Sequence, residues 1–313
     1  MHLLIPFASA LSDAAAEVTR DLALPTLSRL LQRMTATERD EGDEYTLSPP
    51  HERALAQAWG WPLVDGGLPF AARAAAADGI AVEQRAWGLL TPAHWDVGRD
   101  HVTLSDPGAL NLGEDESRDL FDAVRDLFES EGFALVWGAP SRWYAAHESL
   151  AGLRCASLDR VIGRNVDLWL RGDPQASAPA RLLRRLQSEV QLLLYPHPIN
   201  EAREERGDMT VNSFWLSGCG MHRAAADAAV QVDESLRGPV LMQDWAAWAD
   251  AWRLLDQGAL SRLLARLVDG DEAMLTMCGE RHAQRFNGVR QSLLQRTQRR
   301  WSAPRPHAVL EAL

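Results

Sequence analysis

The side chains with the clearest potential for chemistry lie in residues 195–220, which read YPHPINEAREERGDMTVNSFWLSGCG. In this segment His197 stands between two prolines, and Asn200, Arg203 and Asn212 follow it. The planar guanidinium group of Arg matches the oxygens of a carboxylate or a phosphate. The segment therefore contains the residue types that an anion-binding site uses.

Three of these side chains also have a structural interpretation. His197 could cap the preceding helix, Asn200 is a natural N-cap for a short helix over residues 201–206, and Asn212 could satisfy a turn. An apolar, strand-like run and a Gly-x-Gly stop complete the segment. The residues alone leave both interpretations open.

The order of parts in residues 195–220 resembles a stretch of the archaeal-type, cofactor-independent phosphoglycerate mutases. In that family His-Pro-(Val/Ile)-Asn is followed by an Arg, a Gly, an Asn and a Leu-rich run ending in Gly-x-Gly. The resemblance implies an α/β fold, with an alkaline-phosphatase-like sheet core flanked by helices and an inserted α+β domain. It also implies a parent chemistry in which two divalent metals activate a serine nucleophile.

Within this resemblance, Ser48 is the candidate nucleophile, because it precedes a predicted helix over residues 51–59. The alternative is that Ser48 caps this helix. Glu280 and His282 are candidate metal ligands near the C-terminus, but the charge of Arg281 between them disfavours a dication.

The first predicted strand leads into Pro6 and Phe7, where the family has a metal-binding Asp followed by Gly. Neither side chain can bind a hard cation. We therefore expect no cofactor, and a divalent metal only if the chain is a metal-dependent phosphatase or mutase that uses Ser48.

In the family, the inserted domain recognises a phosphorylated three-carbon acid. The resemblance therefore implies a ligand site built from Arg142, Asp159, Arg160, Arg164, His197, Asn200, Arg203 and Asn212. A surface ion pair of Asp159 with Arg160 or Arg164 is the structural alternative for that group.

Over nearly its full length the chain also resembles the RpfE-type regulatory protein family of Gram-negative bacteria. The resemblance is carried by residues 1–9, 90–95, 157–160, 163–167, 212–216 and 244–245. It implies a regulatory role and little further biochemistry.

Composition restricts the classes of function. The chain has 313 residues and a net charge of −11, and all 32 of its basic residues are Arg. A Lys Schiff base and a P-loop Lys are therefore excluded, and nucleic acid is not an expected partner. Six C-terminal arginines are a local exception, interpreted as a solvated helix face: Arg281, Arg285, Arg290, Arg296, Arg299 and Arg300.

The three cysteines, Cys155, Cys219 and Cys278, are far apart in the sequence and form no CxxC motif. This pattern suits a reducing cytoplasm. The N-terminus lacks the basic region of a signal peptide, and no apolar stretch approaches transmembrane length. We expect a cytoplasmic protein that does not associate with a membrane.

Periodicity and turn residues predict alternating strands and helices at both ends of the chain and a different α+β texture between them. The predicted helices cover residues 24–34, 51–59, 71–77, 117–130, 182–194, 244–255 and 260–267. The predicted strands cover residues 3–7, 87–92, 102–104, 133–137, 166–170, 239–242 and 273–277. Residues 1–80 and 221–313 are predicted to form the core domain, and residues 81–220 the inserted domain.

Three functional hypotheses follow. The first is a non-catalytic regulatory protein that binds a small anionic or phosphorylated ligand. The second is the metal-dependent phosphatase or mutase. The third is a protein-interaction module with an unknown partner that binds through Trp95 or Trp143. Zinc, Ser-His-Asp hydrolase and dinucleotide sites are poorly supported, because their ligand spacing and motifs are missing.

Overall fold

The computed structural model describes residues 1–82, 84–170, 177–226, 229–288 and 304–313, which form two compact units. The first unit comprises Met1–Glu44, Pro49–Pro62 and Ala225–Leu313, and the second comprises Tyr45–Ser48 and Leu63–Ala224. The second unit thus covers more of the chain than residues 81–220, over which the sequence predicts an inserted domain. None of the described helices is both long and apolar enough to cross a membrane.

The first unit is a mixed sheet flanked by helices. Its elements are β1 (His2–Ile5), α1 (Asp13–Asp21), α2 (Pro25–Arg33), β2 (Met34–Asp40), α3 (Pro50–Ala58), β9 (Val230–Val232), α10 (Arg237–Leu241), α11 (Trp245–Gln257), α12 (Ala259–Asp269), β10 (Met274–Cys278), β11 (Ala283–Gly288) and α13 (Pro306–Glu311). The sheet order is β2-β11-β10-β1-β9, with β1 parallel to both of its neighbours. β11 is antiparallel to β10 and to β2.

The core of the first unit lies where α2, α11 and α12 pack on this sheet. Trp248 and Trp252 are fully buried and meet edge to face, so these two tryptophans of α11 serve core packing. The buried carboxylate of Asp256 accepts hydrogen bonds from the backbone N–H groups of Thr26 and Leu27. It caps α2, whose own N-cap residue, Leu24, supplies no side-chain acceptor.

The second unit is built on an antiparallel sheet of order β6-β7-β3-β8. Its elements are α4 (Phe70–Ala77), β3 (Ala86–Ala93), β4 (Trp95–Val97), β5 (Val102–Leu104), α5 (Glu114–Glu129), β6 (Ala134–Ala139), β7 (Arg142–Ala146), α6 (Leu158–Val161), α7 (Asp167–Leu170), α8 (Ala178–Leu194), α9 (Pro198–Arg206) and β8 (Ser213–Met221), with short 3-10 turns at Pro107–Leu110 and Glu148–Leu150.

Helices cover both faces of this sheet. In β7, successive side chains alternate between the two faces and pack against different helices. Trp143 belongs to the cluster formed with α5 and α8, whereas the next residue, Tyr144, belongs to the cluster formed with α4. Successive strand side chains point to opposite faces, so α4 covers one face and α5 with α8 covers the other.

A β-bulge explains the Gly-x-Gly stop of residues 218–220. Trp87 pairs with Gly220 and Leu89 with Ser217, so two residues of β8 lie opposite one residue of β3. Gly218 has a φ of +64°, and a Cβ there would lie 2.7 Å from the backbone N of Ala71 on α4. The glycine allows both the left-handed backbone and the close approach of α4.

Most of the predicted elements are present, with bounds shifted by a few residues, but two predicted strands are wrong. Residues 166–170 contain the helix α7, whose first residue, Asp167, donates its backbone N–H to Asn165 Oδ1. Residues 239–242 fall largely within α10. Both are short apolar runs, for which periodicity does not separate a strand from a buried helix.

Two charged segments also lie on strands, where their sequence suggests a loop or a helix. Residues 38–40 begin a charged, Gly-containing run that is typical of a loop, but they belong to the edge strand β2, whose charged residues suit an edge. Arg285 lies on β11 and not on a solvated helix face. Residues 290, 296, 299 and 300 lie outside the described ranges.

Candidate functional site

Asn200 is buried and lies inside α9, so the prediction that it is an N-cap is wrong. Its Nδ2 donates to the carbonyls of Leu194 and Val211, both at 2.8 Å, and its Oδ1 accepts from the N–H of Val211 at 2.8 Å. The amide thus ties the end of α8 to the chain entering β8. Its hydrogen-bonding capacity is largely used inside the second unit.

Arg203, one turn further along α9, has a side chain that is only 1% exposed. Its Nε donates to Met209 O at 2.7 Å, its Nη1 to Glu116 Oε2 at 2.5 Å, and its Nη2 to Leu110 O. The guanidinium group is therefore coordinated by the protein's own oxygens. A ligand at Arg203 would have to displace these contacts.

His197 and Asn212 make local backbone contacts. His197 is the N-cap of α9, where its Nδ1 accepts from Ile199 N at 3.3 Å, so it caps the following helix and not the preceding one. Asn212 donates to Trp95 O at 2.9 Å and accepts from Trp95 N at 2.7 Å. The side-chain amide of Asn212 thus pairs with the backbone of Trp95 in the way that one residue of a β-ladder pairs with another.

Arg142 holds a carboxylate, although that carboxylate belongs to the chain itself. Its Nε and Nη2 donate to Asp78 at 2.9 and 2.8 Å, and Tyr144 Oη donates to the same group at 2.7 Å. The hydrogen bonds from Arg142 hold the pKa of Asp78 below its ordinary value. Burial, together with the bond to Asp78, raises the pKa of Tyr144.

The arginine-rich run after Ser157 lies around the start of α6. Arg160 is buried, donates from Nε to Thr46 O at 2.8 Å and stacks near the ring of Trp169. Asp159 and Arg164 beside it are half-buried. The structure thus distributes the eight predicted ligand residues over α9, the residue before β8, the start of β7 and the region of α6.

Ser48 belongs to the second unit, is buried, and does not cap α3, whose N-cap is Pro49. Its Oγ accepts from Gly66 N at 2.9 Å, and Asp65 accepts from its backbone N–H. These contacts fix a loop, and the hydroxyl accepts from Gly66 and not from the first turn of α3.

Glu280 and His282 belong to the first unit. Glu280 Oε2 accepts from Leu11 N at 3.1 Å, and His282 Nδ1 accepts from Gly42 N at 3.4 Å. Burial and the nearby charge of Arg39 lower the pKa of His282. Within the described ranges, no group of three or more His, Cys, Asp or Glu side chains is placed to hold a metal ion.

Trp95 and Trp143 are 7% and 1% exposed. Because both residues are largely buried, they do not form an exposed docking surface, and the hypothesis of a protein-interaction module stays a prediction.

A cavity in the second unit is the feature that sequence reasoning missed. It has a volume of about 100 Å³ and lies between α8, β8 and the loop before α6. Its walls are Leu153, Arg154, Cys155, Ala156, Trp169, Leu170, Ala180, Leu183, Arg184, Gln187, Phe214, Trp215 and Leu216. In the sequence, only the apolar face of α8 indicated this site. None of the eight predicted ligand residues lines the cavity.

The cavity combines an apolar interior with cationic side chains. Gln187 Nε2 donates to Phe214 O at 3.1 Å, which fixes α8 against β8, and Trp215 Nε1 donates to Ala156 O at 2.9 Å. Arg154 and Arg184 are exposed and line the same cavity. Such a site can bury a small apolar group beside a positive charge.

No protein-family model matches the chain, and no curated protein matches it. Among solved structures it is similar to the cofactor-independent phosphoglycerate mutase from Thermoplasma acidophilum DSM 1728, at 14% identity and a TM-score of 0.37, over 99% of this chain and 98% of that one. It is also similar to the PH0037 protein from Pyrococcus horikoshii, at 13% identity and a TM-score of 0.47, over 99% of this chain and 95% of that one.

Proposed function

We propose that this chain is a non-catalytic binding protein whose second unit holds a small amphipathic anion, in keeping with the regulatory role that its resemblance implies. The observation that carries the proposal is the cavity of about 100 Å³ with apolar walls and two exposed arginines. The ligand would place an apolar body against Phe214 and Leu183 and an acidic group beside Arg154 and Arg184.

The volume limits the size of the buried part. An apolar cavity of about 150 Å³ accommodates benzene, so this smaller cavity of about 100 Å³ suits a short acyl chain or the buried part of a single ring. Burying such a group contributes about 3 kcal/mol, and an ion pair at an exposed arginine up to about 1 kcal/mol. Together these two contributions correspond to a dissociation constant of about 1 mM, and the cost of association makes the binding weaker than that.

Two features support binding without catalysis. The end of β1 carries Pro6 and Phe7, and neither side chain coordinates a hard cation. The Ser48 hydroxyl accepts a backbone hydrogen bond inside its loop. We expect no turnover of p-nitrophenyl phosphate with Mn²⁺ or Zn²⁺. Turnover that Ser48→Ala abolishes would favour the phosphatase alternative.

Calorimetric titration tests the binding proposal. Benzoate and hexanoate should bind, and their neutral counterparts, benzyl alcohol and hexanol, should bind about two- to fivefold more weakly because they lack the charge. A phosphorylated three-carbon acid that binds while benzoate does not would contradict an apolar site. It would favour the ligand that the mutase resemblance implies.

Variants locate the site. Arg154→Gln and Arg184→Gln should each weaken benzoate binding about two- to fivefold and leave benzyl alcohol unaffected. Arg99→Gln, at an exposed loop residue of the same unit, is the charge-matched control. Ala180→Trp should fill the cavity and abolish binding of both ligands. Ala178→Trp, two residues earlier on α8 and outside the cavity, should not.

A further inference from the structure

Two cysteines that are 64 residues apart in the sequence meet in the second unit. The Sγ atoms of Cys155 and Cys219 are 3.6 Å apart. Cys155 is half-buried in the loop before α6 and lines the cavity, whereas Cys219 is buried in the bulge of β8. Cys278 belongs to the first unit and is fully buried.

We propose that Cys155 and Cys219 form a redox-active thiol pair, which a hydroperoxide oxidises to an intramolecular disulfide.

The geometry favours this reaction. A disulfide has an S–S length of about 2.05 Å, so the two sulfurs must approach by about 1.5 Å. Residues 151–157 belong to no helix or strand, but the backbone N–H of Cys155 donates to Gly66 O at 3.0 Å, so rotation of the Cys155 side chain must supply most of this approach. Cys219 is held between Gly218 and Gly220, with its sulfur close to Gly88 on β3.

The two thiols have different roles. Cys155 lines an opening that a peroxide can enter, so its thiolate is the group that reacts first. The hydrogen bond with Cys155 and complete burial raise the pKa of Cys219. Cys219 therefore stays protonated and acts second.

The reaction balances in two steps. The Cys155 thiolate attacks one peroxide oxygen, an S–O bond forms, the O–O bond breaks, and the departing hydroxide or alkoxide takes up a proton. Sulfur loses two electrons, and the peroxide gains them. The Cys219 sulfur then attacks the sulfenic sulfur, the S–S bond forms, and the S–O bond breaks. Its thiol proton leaves with the hydroxide as water.

Cysteine counting tests the proposal without any ligand. The native protein is treated with stoichiometric hydrogen peroxide, then denatured and alkylated. One cysteine, Cys278, should be alkylated after oxidation, against all three in the reduced protein. A peptide that links Cys155 to Cys219 should appear, and Cys278→Ser, the matched control, should retain this link. Three alkylated cysteines, or a link that includes Cys278 or a second chain, would overturn the proposal.

The order of steps has its own test. In Cys219→Ser, dimedone should trap a sulfenic acid at Cys155. In Cys155→Ser, peroxide should leave Cys219 unmodified. A dimedone adduct on Cys219 in that variant would contradict the assigned roles.

Discussion

The arginines of the second unit differ in the burial of the guanidinium group and in the acceptors around it. Arg203 and Arg160 are buried and donate to oxygens of their own unit. Arg154 and Arg184 are exposed at the cavity. An Arg in a sequence is therefore a candidate for anion binding only when its guanidinium group stays exposed, as that of Arg184 does although its Nε donates to Ala180 O at 3.4 Å.

Arg203 and Arg206 allow this distinction to be measured, because both donate to Glu116. Arg203→Met should lower the free energy of unfolding of the second unit by about 3–5 kcal/mol, since it leaves buried acceptors without their partner. Arg206→Met, at a side chain that is 50% exposed, should cost far less, because solvent screens its ion pairs. Urea unfolding followed by circular dichroism measures both. Equal losses would contradict the structural role of Arg203.

His2 should make the free energy of unfolding of the first unit depend on pH. It is 4% exposed and hydrogen-bonded to Thr276 Oγ1, and burial lowers its pKa to about 4. Between pH 6.5 and about 4 the unfolded chain binds the proton and the folded one does not, so stability falls as the pH falls through this window. The loss should be up to about 3 kcal/mol.

Urea unfolding against pH checks this expectation. The stability of the wild type relative to His2→Gln should decrease as the pH is lowered to 4 and then level off. His101→Gln, at an exposed loop residue of the second unit, is the matched control. A wild type that runs parallel to His2→Gln would contradict the buried neutral state.

At the scale of elements, long periodic segments were predictable from the sequence and short ones were not. The helix α8 carries its apolar residues at helical spacing over 17 residues, so the pattern decides the element. The helices α7 and α10 have four and five residues, and their apolar runs fit a strand equally well. The packing of these segments against the rest of the unit determines that they are helices, and a local sequence pattern does not contain that information.

At the bulge of β8, the close approach of α4 leaves no room for a side chain on Gly218. Gly218→Ala should lower the free energy of unfolding by about 3 kcal/mol, because a Cβ would both strain the left-handed backbone and contact Ala71 N. Gly207→Ala, at a φ of +76° with open space around it, carries the backbone strain alone and should cost about 1 kcal/mol. The difference between the two measured values isolates the packing of α4 on β8. No difference would contradict that contact.

At the scale of the whole molecule, pairing between distant residues was beyond sequence reasoning. Cys155 and Cys219 form no motif, since 64 residues separate them, yet the loop and the bulge bring their sulfurs to 3.6 Å. The cavity likewise draws on the loop at 153–156, on α8 and on β8. Residue types suggested which chemistry to look for, but only the packing shows which residues share a site.

The order in which strands pair predicts that the two units depend on different parts of the chain. The sheet of the first unit joins β1, from the start of the chain, to β10, from near its end, with His2 opposite Met274. The sheet of the second unit is completed between Ala86 and Met221. A chain that stops after residue 270 lacks β10 and β11, two of the three inner strands of the first sheet. Its first unit should therefore be unfolded, while its second unit should remain folded.

Hydrogen exchange measured by mass spectrometry tests this expectation. In the truncated chain the amides of β3, β7 and β8 should stay protected, and those of β1 should exchange freely, because β1 keeps only its pairing with β9. The full-length chain supplies the reference for both sets. Loss of protection in β3 and β7 along with β1 would mean that the second unit, despite having a core of its own, cannot hold its fold without the first.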